Sequence, residues 1–205
     1  MKTYIENSDP LTKSLFQNYL GFDVVTSPDD AQLLVFTGGS DVSPYLYGDK
    51  QHQFTYNDAA RDAKEERLFQ FGRLNGKKMV GICRGGQFLN VMSGGRMFQH
   101  VSNHTRSHML HVKGKEPFLV TSTHHQMMMP SKAGYILATG KELGFLEWYD
   151  QEVFRRQEHS LQDIEVVHYP HTHCLCFQPH PEYGQEDPAF SQMREYFKKL
   201  IEEVL

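Results

Sequence analysis

The sequence predicts a three-layer α/β fold. Short, wholly apolar runs such as Leu33-Leu34-Val35-Phe36 and Met79-Val80-Gly81-Ile82 alternate with capped or amphipathic helical segments. Such runs suit strands buried on both faces of a parallel sheet, and the alternation places helices on both sides of it. A second observation agrees. Ligands of these sheets bind beyond the carboxyl ends of strands, where Gly38-Gly39 and Cys83 fall.

Each element has its own signal. Asp9-Pro10 reads as an N-cap with Pro at the first helical position, opening a helix over 11–20 that stops before Gly21. The first apolar run ends in Thr37-Gly38-Gly39. A charged helix over 58–74 follows, stopped by Asn75-Gly76. The second run ends at Cys83. Further strands are expected at 118–123, 135–138, 145–149, 164–169 and 174–177. Asp187-Pro188 repeats the cap signal, and Phe190, Met193, Phe197, Leu200, Ile201 and Val204 follow at helical spacing, with Lys198-Lys199 and Glu202-Glu203 as a solvated face. No repeat or linker divides the chain, so residues 1–205 are expected to form one domain.

Composition excludes several classes. The net charge of −4 gives no electrostatic footprint for nucleic acid. No stretch approaches the roughly 18 apolar residues of a membrane span, and MKTYIENSDP lacks the apolar core of a signal peptide. The expectation is a cytoplasmic protein with neither a membrane nor a nucleic-acid partner. Three cysteines are too few for a disulfide framework but suit a single nucleophile.

The most informative stretch is Val80-Gly81-Ile82-Cys83-Arg84-Gly85-Gly86-Gln87, a strand, a G-x-C-x-G turn and a helix start. It has the form of a nucleophile elbow with cysteine at its tip. Gly81 and Gly85 would relieve the crowding of a sharp turn. The helix N-terminus would favour a thiolate, and the Arg84 amide would point toward a developing oxyanion. The competing reading is a buried cysteine beside a tight turn. Cys174 and Cys176 lie on an expected strand and read as core. A thiol nucleophile needs a base and an orienting group. Phe177-Gln178-Pro179-His180-Pro181-Glu182 supplies one pairing, because residues i and i+2 of an extended segment project to one side.

Together these residues resemble the class I glutamine amidotransferase-like hydrolases. GICRGGQFLNV around Cys83 and His-Pro-Glu at 180–182 are similar to that superfamily's nucleophile and base motifs. FTGGSDVSPYLYG at 36–48, RDAKE at 61–65, SGGRMFQH at 93–100 and VTSTHHQ at 120–126 resemble, in order, the motifs of its γ-glutamyl-γ-aminobutyrate hydrolase branch. The resemblance spans roughly residues 32 to 185. It implies a flavodoxin-like, doubly wound and mostly parallel sheet. It also implies Cys83 as nucleophile, His180 as base and Glu182 as orienter, with the amides of Gly39 and Arg84 as oxyanion hole. Gly38, Gln87, Ser122, His124 and His125 would contact the glutamyl group. The implied reaction hydrolyses a small γ-glutamyl amide through a thioester and needs no cofactor. Two alternatives are a glutaminase subunit feeding ammonia to a separate synthetase, and a catalytically weak binding or regulatory module. The assembly would be a homodimer or a complex with that synthetase. Three positions depart from the family pattern: Pro179 replaces an aromatic residue before the histidine, Thr121 replaces Asn, and His100 replaces an acidic residue. The region before residue 32 is also shorter than the family's first unit, which leaves the amine side of the substrate unassigned.

Other clusters read as structural. His100, His104, His108 and His111 recur at helical spacing, but the surrounding Gly, Ser and Asn favour a polar loop over a metal-binding helix face. His171-Thr172-His173-Cys174 offers a second metal pattern on one strand face, explained equally by partial exposure. Met127-Met128-Met129 reads as packing. Gly38-Gly39-Ser40 lacks the lysine and spacing of a phosphate loop. No metal ligand is assigned.

Overall fold

A computed structural model describes residues 1–142, 144–158 and 163–205. In chain order, β1 (Lys2–Ile5) leads to α1 (Pro10–Ser14), then β2 (Asp23–Val25), β3 (Leu33–Phe36), α2 (Ala59–Leu74), β4 (Lys78–Ile82) and α3 (Arg84–Met92). Short strands follow: β5 (Arg96–Phe98), β6 (His100–Val101), β7 (His108–Val112), β8 (Phe118–Val120) and β9 (Met127–Met129). Next come β10 (Tyr135–Gly140), β11 (Phe145–Asp150), β12 (Val153–Glu158), β13 (Asp163–Tyr169), β14 (Cys174–Phe177) and α4 (Ser191–Glu203).

The main sheet runs β2-β1-β3-β4-β14-β13-β10-β7-β8. From β2 to β14 neighbours pair in parallel; from β14 to β8 they pair antiparallel. The site therefore lies on the parallel part, at the carboxyl ends of β3, β4 and β14. Strand alternation sorts the core into two layers. Leu33, Val35, Val80, Ile82, Leu175 and Phe177 pack with Phe16 beyond α1 and with Phe197 of α4. Their neighbours Leu34, Phe36, Met79, Cys174 and Cys176 pack with Leu68 and Phe69 of α2 and Phe88 of α3. Period-two strands buried on both faces produce this sorting, and it gives the expected three layers.

The Asp9 cap forms where the sequence predicts, and the structure adds a cap at Asp58. Asp9 accepts from the Thr12 amide at 2.7 Å, and Asp58 accepts from the amides of Ala60 and Arg61. Two helices depart in detail. Beyond α1 the chain continues as a π-helical turn over Leu15–Tyr19, and Asp187 caps a 3₁₀ turn at Pro188–Phe190 before α4 begins. The His-rich region is neither helix nor loop throughout, because β6 and β7 occupy much of it. The 170–172 segment is a 3₁₀ turn with His173 at φ +53°, so a shared strand face for His171 and His173 does not exist. Residues 121–123 leave the expected strand after β8. No helix among the described residues is long and apolar enough to cross a membrane.

Candidate active site

The turn after β4 is built on glycine. A methyl on Gly81 would lie 2.2 Å from the Gly85 carbonyl, and one on Gly85 would lie 2.1 Å from the Phe36 oxygen. No side chain fits, so β4, α3 and β3 approach by backbone contact. Cys83 holds the tip at φ +50°, ψ −113°, a strained conformation for a residue with a Cβ. Its amide donates to the Phe177 carbonyl at 2.8 Å, tying the tip to β14. The sulfur faces a cleft of about 330 Å³ lined by Gly39, Tyr56, Gln87, Thr123, His125 and His180, among others.

His180 follows β14 and lines the same cleft as Cys83. Its Nδ1 lies 2.6 Å from Glu182 Oε1, and its ring stacks on Tyr183 at 4.3 Å. Burial opposes the imidazolium, but the facing sulfur and Glu182 outweigh burial and push the His180 pKa up to about 10. Thr121 braces the same residue: its hydroxyl donates to the His180 carbonyl at 2.7 Å and accepts from the His180 amide at 3.0 Å. This departure from the family pattern thus anchors the histidine. With Pro179 before it, the imidazole still lines the cleft that holds the sulfur.

The start of α2 holds the glycine loop. Arg61 donates to the carbonyls of Thr37 and Gly38 and pairs with Glu65 at 2.8 Å. The guanidinium of Arg84, buried behind the elbow, is ion-paired with both Asp62 and Glu65. Burial lowers its pKa to about 10, which leaves it charged at neutral pH. Asp62 also accepts from the Ser43 amide at 3.0 Å. Gly39 sits at φ +141° with Arg61 where a side chain would stand. Arg84 opens α3, so its amide has no partner within the helix.

The expected glutamyl contacts divide. Gln87 lines the cleft, where its amide donates to Gln126 O at 3.0 Å and Gln178 Oε1 at 3.1 Å. Gly38 lies beneath the imidazole: a methyl there would stand 3.1 Å from His180 Cε1. Side chains of 121–126 alternate in direction. Thr121 and Thr123 reach His180, and His125 pairs with Asp41 at 3.1 Å. Ser122 turns away to the His104 carbonyl, so its expected cleft contact is not formed. His124 borders the cleft, but its Nδ1 meets Gln126 O at 2.8 Å and its Nε2 points inward at Glu165. Hydrogen bonding to Asp41 raises the His125 pKa. Sequence reasoning missed Thr123, whose Oγ1 lies 2.9 Å from His180 Nε2, and Gln178, whose amide donates to Cys83 Sγ at 3.6 Å. Both lie inside the motifs around Ser122 and His180, and the alternation rule would have selected Thr123 over Ser122.

Solved structures share this fold across nearly the whole chain. PurLQS from Thermotoga maritima superposes with a TM-score of 0.68 at 16% identity, covering 100% of this chain and 99% of that one. A glutamine amidotransferase from the same organism gives 0.58 at 12% identity, covering 98% and 84%. Fold and sequence together define a class I glutamine amidotransferase-like protein. Within that class the chain belongs to the peptidase C26 family, whose sequence profile matches residues 28–140. The glutamine amidotransferase-like protein YvdE of Lactococcus lactis subsp. lactis (strain IL1403) is 30% identical over 168 residues, 78% of this chain and 69% of that one. Its homolog in Lactococcus lactis subsp. cremoris is 42% identical over 93 residues, 45% of this chain and 48% of that one.

Proposed function

We propose that the protein hydrolyses γ-glutamyl amides with Cys83 as nucleophile. One observation carries the reading: a thiol on a strained elbow shares a cleft with an imidazole whose Nδ1 lies 2.6 Å from a carboxylate. The Cys83 thiolate attacks the γ-carbonyl carbon, and the amides of Gly39 and Arg84 receive the oxyanion, each donor contributing about 3–4 kcal/mol. His180 protonates the departing amine, then takes a proton from the water that opens the thioester and releases glutamate. Glu182 holds the tautomer. His125 and Asp41 stand at the cleft to meet the charged end of the glutamyl group.

The test is intact-protein mass after incubation with a diazo-ketone analogue of glutamine. A single adduct, lost in Cys83→Ala while circular dichroism is unchanged, is the expected result, together with turnover of γ-glutamyl amines that Cys83→Ala abolishes. Undiminished turnover in Cys83→Ala overturns the proposal. A second reading keeps the chemistry and sends ammonia to a separate synthetase. A solved structure from Thermoplasma acidophilum, described as a GMP synthase subunit, shares the fold with a TM-score of 0.55 at 12% identity, covering 99% of this chain and 98% of that one. Glutamine hydrolysis that rises many-fold on adding a partner protein separates the two.

A further inference from the structure

Behind the cleft wall, three imidazoles converge on one carboxylate. His108 Nε2 lies 3.3 Å from Glu165 Oε1, His124 Nε2 3.5 Å and His104 Nδ1 3.8 Å. All four side chains are buried, and among the described residues none of these four atoms has a hydrogen-bond partner. His104, His124 and Glu165 offer one donor atom each, all within 4.8 Å of one another. From these contacts we infer that His104, His124 and Glu165 bind a zinc ion, with His108 against the shared carboxylate.

The outer atoms support the assignment. His124 Nδ1 lies 2.8 Å from the Gln126 carbonyl and His108 Nδ1 lies 3.3 Å from the Arg106 carbonyl. A carbonyl only accepts, so each of these nitrogens carries a hydrogen, and in the neutral tautomer each Nε2 turns a lone pair toward Glu165. Two lone pairs facing a carboxylate repel, and a cation between them makes the contact favourable. His104 reverses the arrangement: Nδ1 faces Glu165 while Nε2 lies 3.6 Å from Asp163 Oδ2. Zinc-bound histidines characteristically donate their second N–H to a carbonyl or carboxylate. Bonds of about 2.0–2.2 Å set tetrahedral ligand atoms about 3.4 Å apart, close to the N···O separations here. Two carboxylates, Glu165 and Asp163, balance a divalent charge. Protonating all three histidines instead would bury a surplus of positive charge. The donors are imidazole nitrogen and carboxylate oxygen, both of which bind zinc.

The ion would be structural, held by side chains buried behind the cleft wall. It would fix the 121–126 segment through His124, between Thr123 on the imidazole and His125 on Asp41. The backbone carbonyl of Glu165 accepts from the Gln178 backbone amide at 2.8 Å, and the Gln178 side chain donates to Cys83 Sγ. The site therefore supports the cleft wall without meeting substrate, and it stands whether or not the hydrolase reading holds.

Zinc sulfate loading of the full chain, followed by desalting, tests this by metal analysis. About one zinc per chain is expected, removable by a chelator with a fall in Tm of about 10 °C and restored on reloading. Cobalt loading should give intense visible bands of tetrahedral geometry without sulfur-to-metal charge transfer. Cys83→Ala should keep the metal. His104→Ala/Glu165→Ala should lose it, and His108→Ala should weaken retention. Retention of no zinc by the wild type overturns the proposal, whatever becomes of the variants. So does loss of zinc in Cys83→Ala, or a cobalt–sulfur band, since either puts the ion on the thiol. A folded His104→Ala/Glu165→Ala that holds as much zinc as the wild type overturns it equally.

Discussion

At the scale of single residues, His180 governs the pH response. Its value of about 10 stands above the ordinary value of about 6.5, raised by the sulfur and Glu182 against burial. The stabilisation from its protonated form is therefore complete below about pH 6.5 and is lost as pH rises through about 10. Turnover is expected to fall on an alkaline limb near pH 10, where the imidazole no longer carries the proton it gives to the leaving amine. Glu182→Gln removes one source of the rise. It should lower kcat by about 10²–10⁴-fold and move that limb to lower pH in a pH–rate profile. A limb unmoved in Glu182→Gln would mean that the carboxylate does not act through the imidazole. Cys83, His180 and Glu182 were legible because each sits in a short motif whose backbone geometry is local. Gln178 and Thr123 were harder. Their roles depend on the meeting of β14 with the segment after β8, which no local pattern encodes.

At the scale of elements, α2 does more than cover the sheet. Its first two turns send Arg61 to the glycine loop and Asp62 and Glu65 to Arg84, so a helix start positions both proposed oxyanion donors. Glu65→Ala leaves Arg84 with one carboxylate and frees Arg61. Breaking a buried pair of this kind costs about 3–5 kcal/mol, and Tm should fall by about 10 °C in calorimetry. The elbow is similarly intolerant. Gly85→Ala places a methyl 2.1 Å from the Phe36 oxygen and should abolish activity and lower Tm together. Elements with caps, helical spacing or apolar runs could be read from sequence: α2, α4, β3, β4, β8, β10, β11, β13, β14 and the helical turn opened by Asp9. Others could not. β1 and β2 are short and mixed in polarity. β7 begins with a histidine that faces the Glu165 cluster, so its buried face looks polar. The sequence pattern for β12 is absent because every residue of that strand is exposed.

At the scale of the whole molecule, β14 is the pivot where the sheet changes from parallel to antiparallel pairing. The parallel part carries the cysteine and the glycine loop, and the antiparallel extension carries the histidine cluster. Residues 178–182 leave the junction and turn back over the elbow. The two-layer core predicts a graded stability. Amides of β3, β4 and β14, buried on both faces, should exchange with deuterium only on global opening. Those of β12, paired only with β11, should exchange orders of magnitude faster in the same experiment. Equal rates would show that the hairpin and the sheet open as one unit. The overall α/β class was legible from alternation alone. Strands β8, β10, β11 and β13 were expected too, but their antiparallel pairing was not, because a strand's own spacing does not set its partner's direction.

The distribution of thiols also makes the protein a ready-made chassis for site-selective conjugation. Cys174 and Cys176 are sealed in the sheet, where burial drives the first to a pKa of about 12 and the second well above its ordinary value. Cys83 alone opens on a cleft, with 8% of its surface accessible. Small electrophiles therefore have one native address, and bulky maleimides should react more slowly with a sulfur so little exposed. A compact spin label or fluorinated tag could be installed there without removing any other cysteine. The ratio of small- to large-reagent modification rates would then gauge how widely the cleft opens in solution.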